Sequence, residues 1–379
     1  MKKRISIFAI ALLTLALLTG CGSNSGTSTP AANGTTGNPG NASENPAVGG
    51  GTPEKTTFAL GHLNSTAHLL AFVAAEEGFF KEEGLTVTVT QFASAGELVA
   101  GLEGGKLDAA FIGSVPTITN QAAGHDITVF GGAMTNGHGY VIKTDLVPAG
   151  FQKGDITVLR GCNVASVKNS VQDYELLVLL KKYNLPIGTG ADEVNVVYFE
   201  SQRDAYNALA GNEIDAVSVY SPYASIAQAA GHTVVYYCNE VEDFHDQPCC
   251  RQVALTSALA QNPNTYIAFE RALIKAYKFT QENREKTIED VAKYITIENS
   301  QIEYEVYGGH AHSVPDPDKH ATTALQHGVV AFGYTGGEDY DIDSLYNIDI
   351  YRTALEQLIA ENPNDSIYKE LKTHFDSAN

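Results

Sequence analysis

Five short stretches, 62–68, 93–96, 113–117, 166–170 and 218–223, are rich in Ser, Thr, Asn and Gly. Hydroxyls and amides of this kind cap helix starts, and glycine lets a backbone come close to a bound molecule. In and beside them, the candidate ligand contacts are His62, Asn64, Ser65, His68, Ser94, Ser114, Tyr140, Ser166 and Tyr220. These types suit an anion or heterocycle held by hydrogen bonds and one aromatic face. Nearby positive charge is limited to Lys168, Arg203 and Arg251, which favours a small monoanion or neutral molecule over a polyanion. His62 and His68 lie six apart on a turn entering a helix. If both face the ligand, affinity depends on pH near the ordinary imidazole value of about 6.5. An anion then binds tighter as pH falls, whereas a metal binds more weakly because protons compete for imidazole.

A second set has metal-ligand chemistry: His245, Cys249 and Cys250, with His310 and His312 further on. Thiolate and imidazole suit zinc, copper or nickel. Their spacing matches no established zinc motif, so metal binding is the alternative reading. In an exported protein Cys238 would pair with Cys249 or Cys250, and Cys162 completes a set with three full pairings. No Gly-x-Ser-x-Gly, phosphate loop or His-Glu-x-x-His is present. A binding protein without a cofactor is expected, not an enzyme.

The composition narrows the class. There are 24 Lys+Arg against 44 Asp+Glu in 379 residues, a net charge of −20, which argues against nucleic acid as a partner. Hydrophobic residues at 44% support a folded core, and the length suggests two domains.

The N-terminus implies a location. Lys2-Lys3-Arg4 precedes mostly apolar residues 5–18, which make a signal-peptide core but are short for a membrane span. Leu18-Thr19-Gly20-Cys21 resembles the lipobox of bacterial lipoproteins. That resemblance implies cleavage after residue 20 and acyl chains, palmitate among them, on Cys21. The protein is then held at the outer face of the cell membrane. Residues 22–54 are almost all small or polar and read as a flexible tether spanning on the order of 30 Å.

The elements that position the candidate residues come in two copies. Ser94/Ser201, Asp108/Asp215 and His125/His232 share one offset of 107 residues. In the first copy the periodicities predict strands at 56–60, 85–92, 108–112 and 127–130, with helices at 66–80, 95–103 and 116–123. In the second they predict strands at 155–159, 194–199, 214–219 and 233–237, with helices at 170–183, 202–210 and 222–230. Alternation of this kind builds parallel βαβ units, hence two doubly wound α/β lobes. Helices are expected in the tail at 265–281, 284–296, 318–332 and 349–358, closing the first lobe.

Residues 60–85, from Leu60-Gly-His-Leu-Asn-Ser-Thr-Ala-His68 to Glu77-Gly-Phe-Phe-Lys-Glu-Glu-Gly-Leu85, resemble the opening of a known family. Glu97-Leu-Val-Ala-Gly-Leu, Tyr220-Ser-Pro-Tyr223 and Phe269-Glu-Arg-Ala-Leu-Ile-Lys-Ala-Tyr277 add to the likeness. The family is the NMT1-like group of substrate-binding proteins of ABC importers, for nitrate, sulfonates, taurine, bicarbonate and pyrimidine precursors. A Trp that often follows the first strand there is replaced here by His62. The resemblance implies a type-II periplasmic-binding-protein fold, a small-molecule ligand, an ABC permease as partner and a monomer. One branch of the family makes a pyrimidine and consumes a protein His; His68 sits comparably, but no complete Cys motif accompanies it. The expected organisation is signal peptide 1–20, lipidated Cys and tether 21–54, lobe one 55–138 plus 252–379, and lobe two 139–251. The hinge crossings are expected near 135–144 and 234–251.

Overall fold

The computed structural model describes residues 51–336 and 340–379. The expected signal peptide, Cys21 and the tether up to residue 50 lie outside the described residues. Eleven strands are described: β1 (Thr57–His62), β2 (Thr86–Gln91), β3 (Ala109–Gly113), β4 (Ile127–Asn136), β5 (His138–Ile142), β6 (Asn163–Val167), β7 (Asn195–Phe199), β8 (Ala216–Tyr220), β9 (Thr233–Tyr237), β10 (Pro248–Leu255) and β11 (Ala311–Ser313). They form two sheets, ordered β11-β4-β10-β3-β1-β2 and β7-β6-β8-β5-β9.

The repeat is physical as well as textual. Helices Ala95–Glu103 and Gln202–Ala210, and strands β3 and β8, keep the 107-residue offset at both ends. Ser94 Oγ accepts the N–H of Glu97 at 3.3 Å, and Ser201 Oγ accepts that of Asp204 at 3.2 Å. Each helix unwinds through a left-handed residue, Gly105 (φ 65°) or Asn212 (φ 61°), the two residue types that tolerate it best. Asp108 Oδ2 accepts the Ala59 N–H at 2.8 Å, and Asp215 Oδ2 accepts the Asn163 N–H at 2.8 Å. A lysine, Lys55 or Lys143, stands beside each carboxylate.

Three expectations need correction. The strand expected at 155–159 is a 3-10 turn, Ile156–Leu159, and the strand is β6. Ile156 and Leu159 are the buried pair, and a spacing of three is one 3-10 turn capped by Asp155. Asp215 clamps the first residue of β6, Asn163, as Asp108 clamps Ala59 of β1, here at an offset of 104 residues (163 − 59), three short of the repeat. The sheets are also not all parallel. β5 runs antiparallel between β8 and β9, and β10 runs antiparallel between β3 and β4. Each such strand follows a crossing from the other sheet, at Gly137 and at residues 238–247. Since β10 starts at Pro248, the expected lobe boundary at 251/252 falls inside a strand of the first sheet.

Residues 51–54, expected in the tether, are docked. The Glu54 carboxylate accepts the N–H groups of Asn264 (3.1 Å) and Thr265 (2.8 Å), capping helix Pro263–Glu282. Burial alone would raise its pKa, but these bonds lower it. That helix seats Phe269 on Phe58 (centroids 4.6 Å apart) and Phe80 (5.3 Å) in the core of the first lobe. Helices Asn299–Tyr307 and Ser366–Ala378 and strand β11 are additions to the expected tail.

Because the clamps are equivalent, Asp108→Ala and Asp215→Ala are each expected to cost about 1–3 kcal/mol, the range for hydrogen bonds to a charged group. Urea unfolding of the two variants measures it, and unequal losses with one near zero would break the equivalence.

Candidate functional site

Between the two sheets lies a cleft of about 470 Å³. Five segment starts open onto it: Ser65, Ser94 and Gly113 from the first lobe, Ser170 and Ser201 from the second. The order Ser-cap then helix puts unpaired backbone N–H groups and the positive end of each helix toward one space. Ser65 Oγ accepts the Ala67 N–H (3.2 Å), and Ser170 Oγ accepts that of Asp173 (3.2 Å). Leu63, Pro116, Val167, Val171, Phe199 and Tyr220 give apolar wall, and Lys168 and Glu200 are the charged side chains at the rim. Of the cations expected nearby, Arg203 does not line the cleft. Arg251 is fully buried and donates to the Met134 and Cys250 carbonyls at 3.4 and 3.0 Å.

Among the residues singled out by sequence, Ser65, His68, Ser94 and Tyr220 line the cleft, while His62, Asn64, Ser114, Tyr140 and Ser166 do not. His62 turns into the core against Phe72 (5.0 Å), with Nδ1 2.8 Å from the Leu63 carbonyl. Burial, with His68 adding to it, lowers its pKa to about 4. Asn64 Nδ2 donates to the Tyr223 hydroxyl of the second lobe (3.1 Å), away from the cleft lining. Tyr140 stacks on Tyr236 and donates to the Gln172 carbonyl (2.8 Å), so it fixes a lining residue without being one. Ser166 donates to Asp173 Oδ1 (2.8 Å) and does the same for the next helix turn. Ser114 is fully buried, and its Oγ has no partner among the described residues.

Two imidazoles face the cleft with an unpartnered Nε2. His68 lies flat on Phe111 (4.9 Å), its Nδ1 3.2 Å from the Leu63 carbonyl. His138, absent from the sequence reading, donates from Nδ1 to Glu175 Oε1 at 3.0 Å. Burial opposes its charge, but the Glu175 carboxylate prevails and raises its pKa well above the ordinary value. No sequence motif marks His138. It reaches the cleft because it is the first residue of β5 after the crossing.

The metal reading finds no support in the geometry. Among the described residues, His138, Glu175 and Cys238 alone bring three ligand-type atoms within 4.8 Å. There Glu175 raises the pKa of the imidazole and burial raises that of the Cys238 thiol, so a metal would have to displace protons from both. His245 is exposed beside Asp246 (2.9 Å), His312 is exposed, and His310 is buried on Glu305 (3.0 Å), so of the five expected ligands only Cys249 and Cys250 lie together. The disulfide from Cys238 to Cys249 or Cys250 is not formed. All four described cysteines are free, and Cys238 Sγ accepts the His138 N–H (3.4 Å).

Residues 51–296 match the NMT1-like family. The chain belongs to that family. Among curated relatives, the binding protein YtlA of Bacillus subtilis is 26% identical over 227 residues, 59% of this chain. A protein of the same organism named as aliphatic sulfonates-binding is 24% identical over 230 residues, again 59%. The match spans 65% of each relative's length. The periplasmic aliphatic sulphonate binding protein SsuA of Escherichia coli is similar with TM-score 0.63 at 19% identity, over 77% of this chain and 92% of its own. The periplasmic nitrate-binding protein NrtA of Synechocystis PCC 6803 gives 0.68 at 17%, over 87% and 100%. The fold is thus the periplasmic-binding-protein fold, and the relatives and neighbours above are named as binding proteins.

Since the folded pKa of His62 lies below its unfolded value, its contribution to stability is present above about pH 6.5 and is lost as pH falls toward 4, up to about 3 kcal/mol. In proton NMR the His62 ring resonances should stay constant from pH 8 to 5. His62→Gln should lose less stability than wild type over pH 6.5 to 4. A His62 titration near 6.5 would contradict its burial.

Proposed function

We propose that this protein captures a small organic anion, foremost an aliphatic sulfonate, between its lobes and hands it to an ABC permease. It works as a monomer at the outer face of the cell membrane, held by lipid on Cys21 and a tether. The observation that carries this reading is the convergence of five segment starts on one cleft that also has an apolar wall. Backbone N–H groups and helix ends favour negative charge without a full counter-charge. A head group of three oxygens has enough acceptors to bridge donors of both lobes. The apolar wall and the cleft volume leave room for a tail, which nitrate lacks. The names of a curated relative and of a structural neighbour, both for aliphatic sulfonates, point the same way. Closure would be a hinge motion about the two crossings, with the ligand completing contacts between lobes.

Calorimetry with nitrate and with methane- through hexanesulfonate tests the reading. Affinity is expected to rise along the series by up to about 0.8 kcal/mol per added CH₂ while the wall can still cover it. Nitrate should bind at least about tenfold more weakly than the longer sulfonates. Lys168→Ala, an exposed rim change, should cost about 0.5–1 kcal/mol and reduce the salt dependence. No heat from any sulfonate, or no compaction in small-angle scattering with one bound, would overturn it.

A further inference from the structure

Neighbouring residues of a strand ordinarily point to opposite faces. Cys249 and Cys250 break that rule. On β10, Pro248 pairs with Thr135, Cys250 with Met134 and Arg251 with Gly132, so the register shifts on both sides of Cys250. Cys250 also pairs with Gly113 on β3, while Cys249 pairs in neither ladder. This is a β-bulge, which frees one residue and re-aims its side chain. Its effect is that both thiols line the cleft with their Sγ atoms 3.0 Å apart. Beside them His68, 1% exposed, lines the same cleft, and its Nε2 has no hydrogen-bond partner among the described residues.

We infer that Cys249 and Cys250 are a redox-active dithiol in the floor of the ligand cleft, a modification site that a small-molecule disulfide converts to a vicinal disulfide. The inference rests on the proposed extracytoplasmic location, where disulfides persist. The hydrogen bond from Cys249, with help from His68 and against burial, lowers the pKa of Cys250 well below the ordinary thiol value. Burial raises that of Cys249. The two Sγ atoms are 3.0 Å apart and either can donate to the other; the lowered pKa favours Cys250 as the attacking thiolate. It displaces one thiolate from the small disulfide and forms a mixed disulfide. Cys249 Sγ, giving up its proton, then attacks Cys250 Sγ and expels the second thiolate. Two electrons pass from the protein to the reagent, and the two thiol protons end on its two halves.

The test is made on the full chain with bis(2-hydroxyethyl) disulfide as oxidant, followed by alkylation under denaturing conditions and cleavage at Asp residues. Asp243 and Asp246 separate Cys238 from the pair. Expected is one peptide carrying both Cys249 and Cys250, unalkylated and lighter by two hydrogens, with Cys162 and Cys238 alkylated. Cys249→Ser should trap the mixed disulfide on Cys250, at least about tenfold more than Cys250→Ser traps it on Cys249. A peptide joined from Cys238 to either residue, full alkylation of the pair, or equal trapping by the two variants would overturn the inference. Should a variant misfold, the wild-type mass decides alone. No sulfonate enters this experiment, so failure of the dithiol is distinguishable from failure of anion binding.

Discussion

The two passages of the chain between the lobes constrain everything else. At the first, Asn136 and Gly137 take left-handed conformations (φ 61° and 83°) between β4 and β5. The Asn136 N–H donates to the Gln247 carbonyl (2.7 Å), and its Oδ1 accepts the Gln247 N–H (3.1 Å), which ties the first passage to the second. The Gly137 N–H donates to the His310 carbonyl (3.0 Å), and its carbonyl accepts the Ser221 N–H (2.8 Å). The left-handed φ of Gly137 is what calls for glycine; a Cβ there would also press on Met134 Cε at 2.5 Å, the movable end of a flexible side chain. From this knot each passage delivers an antiparallel strand to the next sheet. The residues these strands carry, His138 on β5 and the cysteine pair on β10, become the cleft floor.

The lobes hold together differently from the way each holds itself. Their apolar cores are separate clusters, one around Phe58, Phe269 and Tyr351, others around Leu176 and Tyr236 and around Val217 and Tyr223. Polar bonds span the gap near the hinge: Asn64 to Tyr223, Ser65 to the Ser221 carbonyl, and Ser221 to Thr66 and Glu305. Tyr334 reaches from the tail to Asp173 (2.8 Å) on the second lobe's first helix. Hydrogen bonds contribute about 0.5–1.5 kcal/mol each, and water can replace them on opening. A small apolar seam, Val115 and Ile118 with Val171, Leu325 and Val329, adds to them. Contacts of this strength suit lobes that part and close.

The repeat was readable because its residues do local jobs: serine caps, left-handed turn residues and aspartate clamps reappear at one spacing. The apolar run Ile156–Leu159 carries the strand signal at 155–159, but the backbone N–H that the Asp215 clamp takes up belongs to Asn163, and which N–H that is depends on tertiary structure. The antiparallel strands were hidden, since strand direction after a crossing depends on where the chain re-enters. The same holds for the site. Ser94 and Ser65 were found because capping is local. His62, Tyr140 and Ser166 share the residue types of a binding site, yet each is one layer behind it. Whether such a residue faces ligand or core depends on which way its strand end turns, and His138 shows the converse.

The central claim is that the starts of segments in both lobes jointly hold the anion. The most direct measurement is amide chemical-shift mapping of the ¹⁵N-labelled protein on addition of an alkanesulfonate. The account predicts shifts at the first amides after Ser65, Ser94, Gly113, Ser170 and Ser201, on both lobes at the same ligand concentration. Shifts confined to one lobe, or centred away from these five starts, would contradict it.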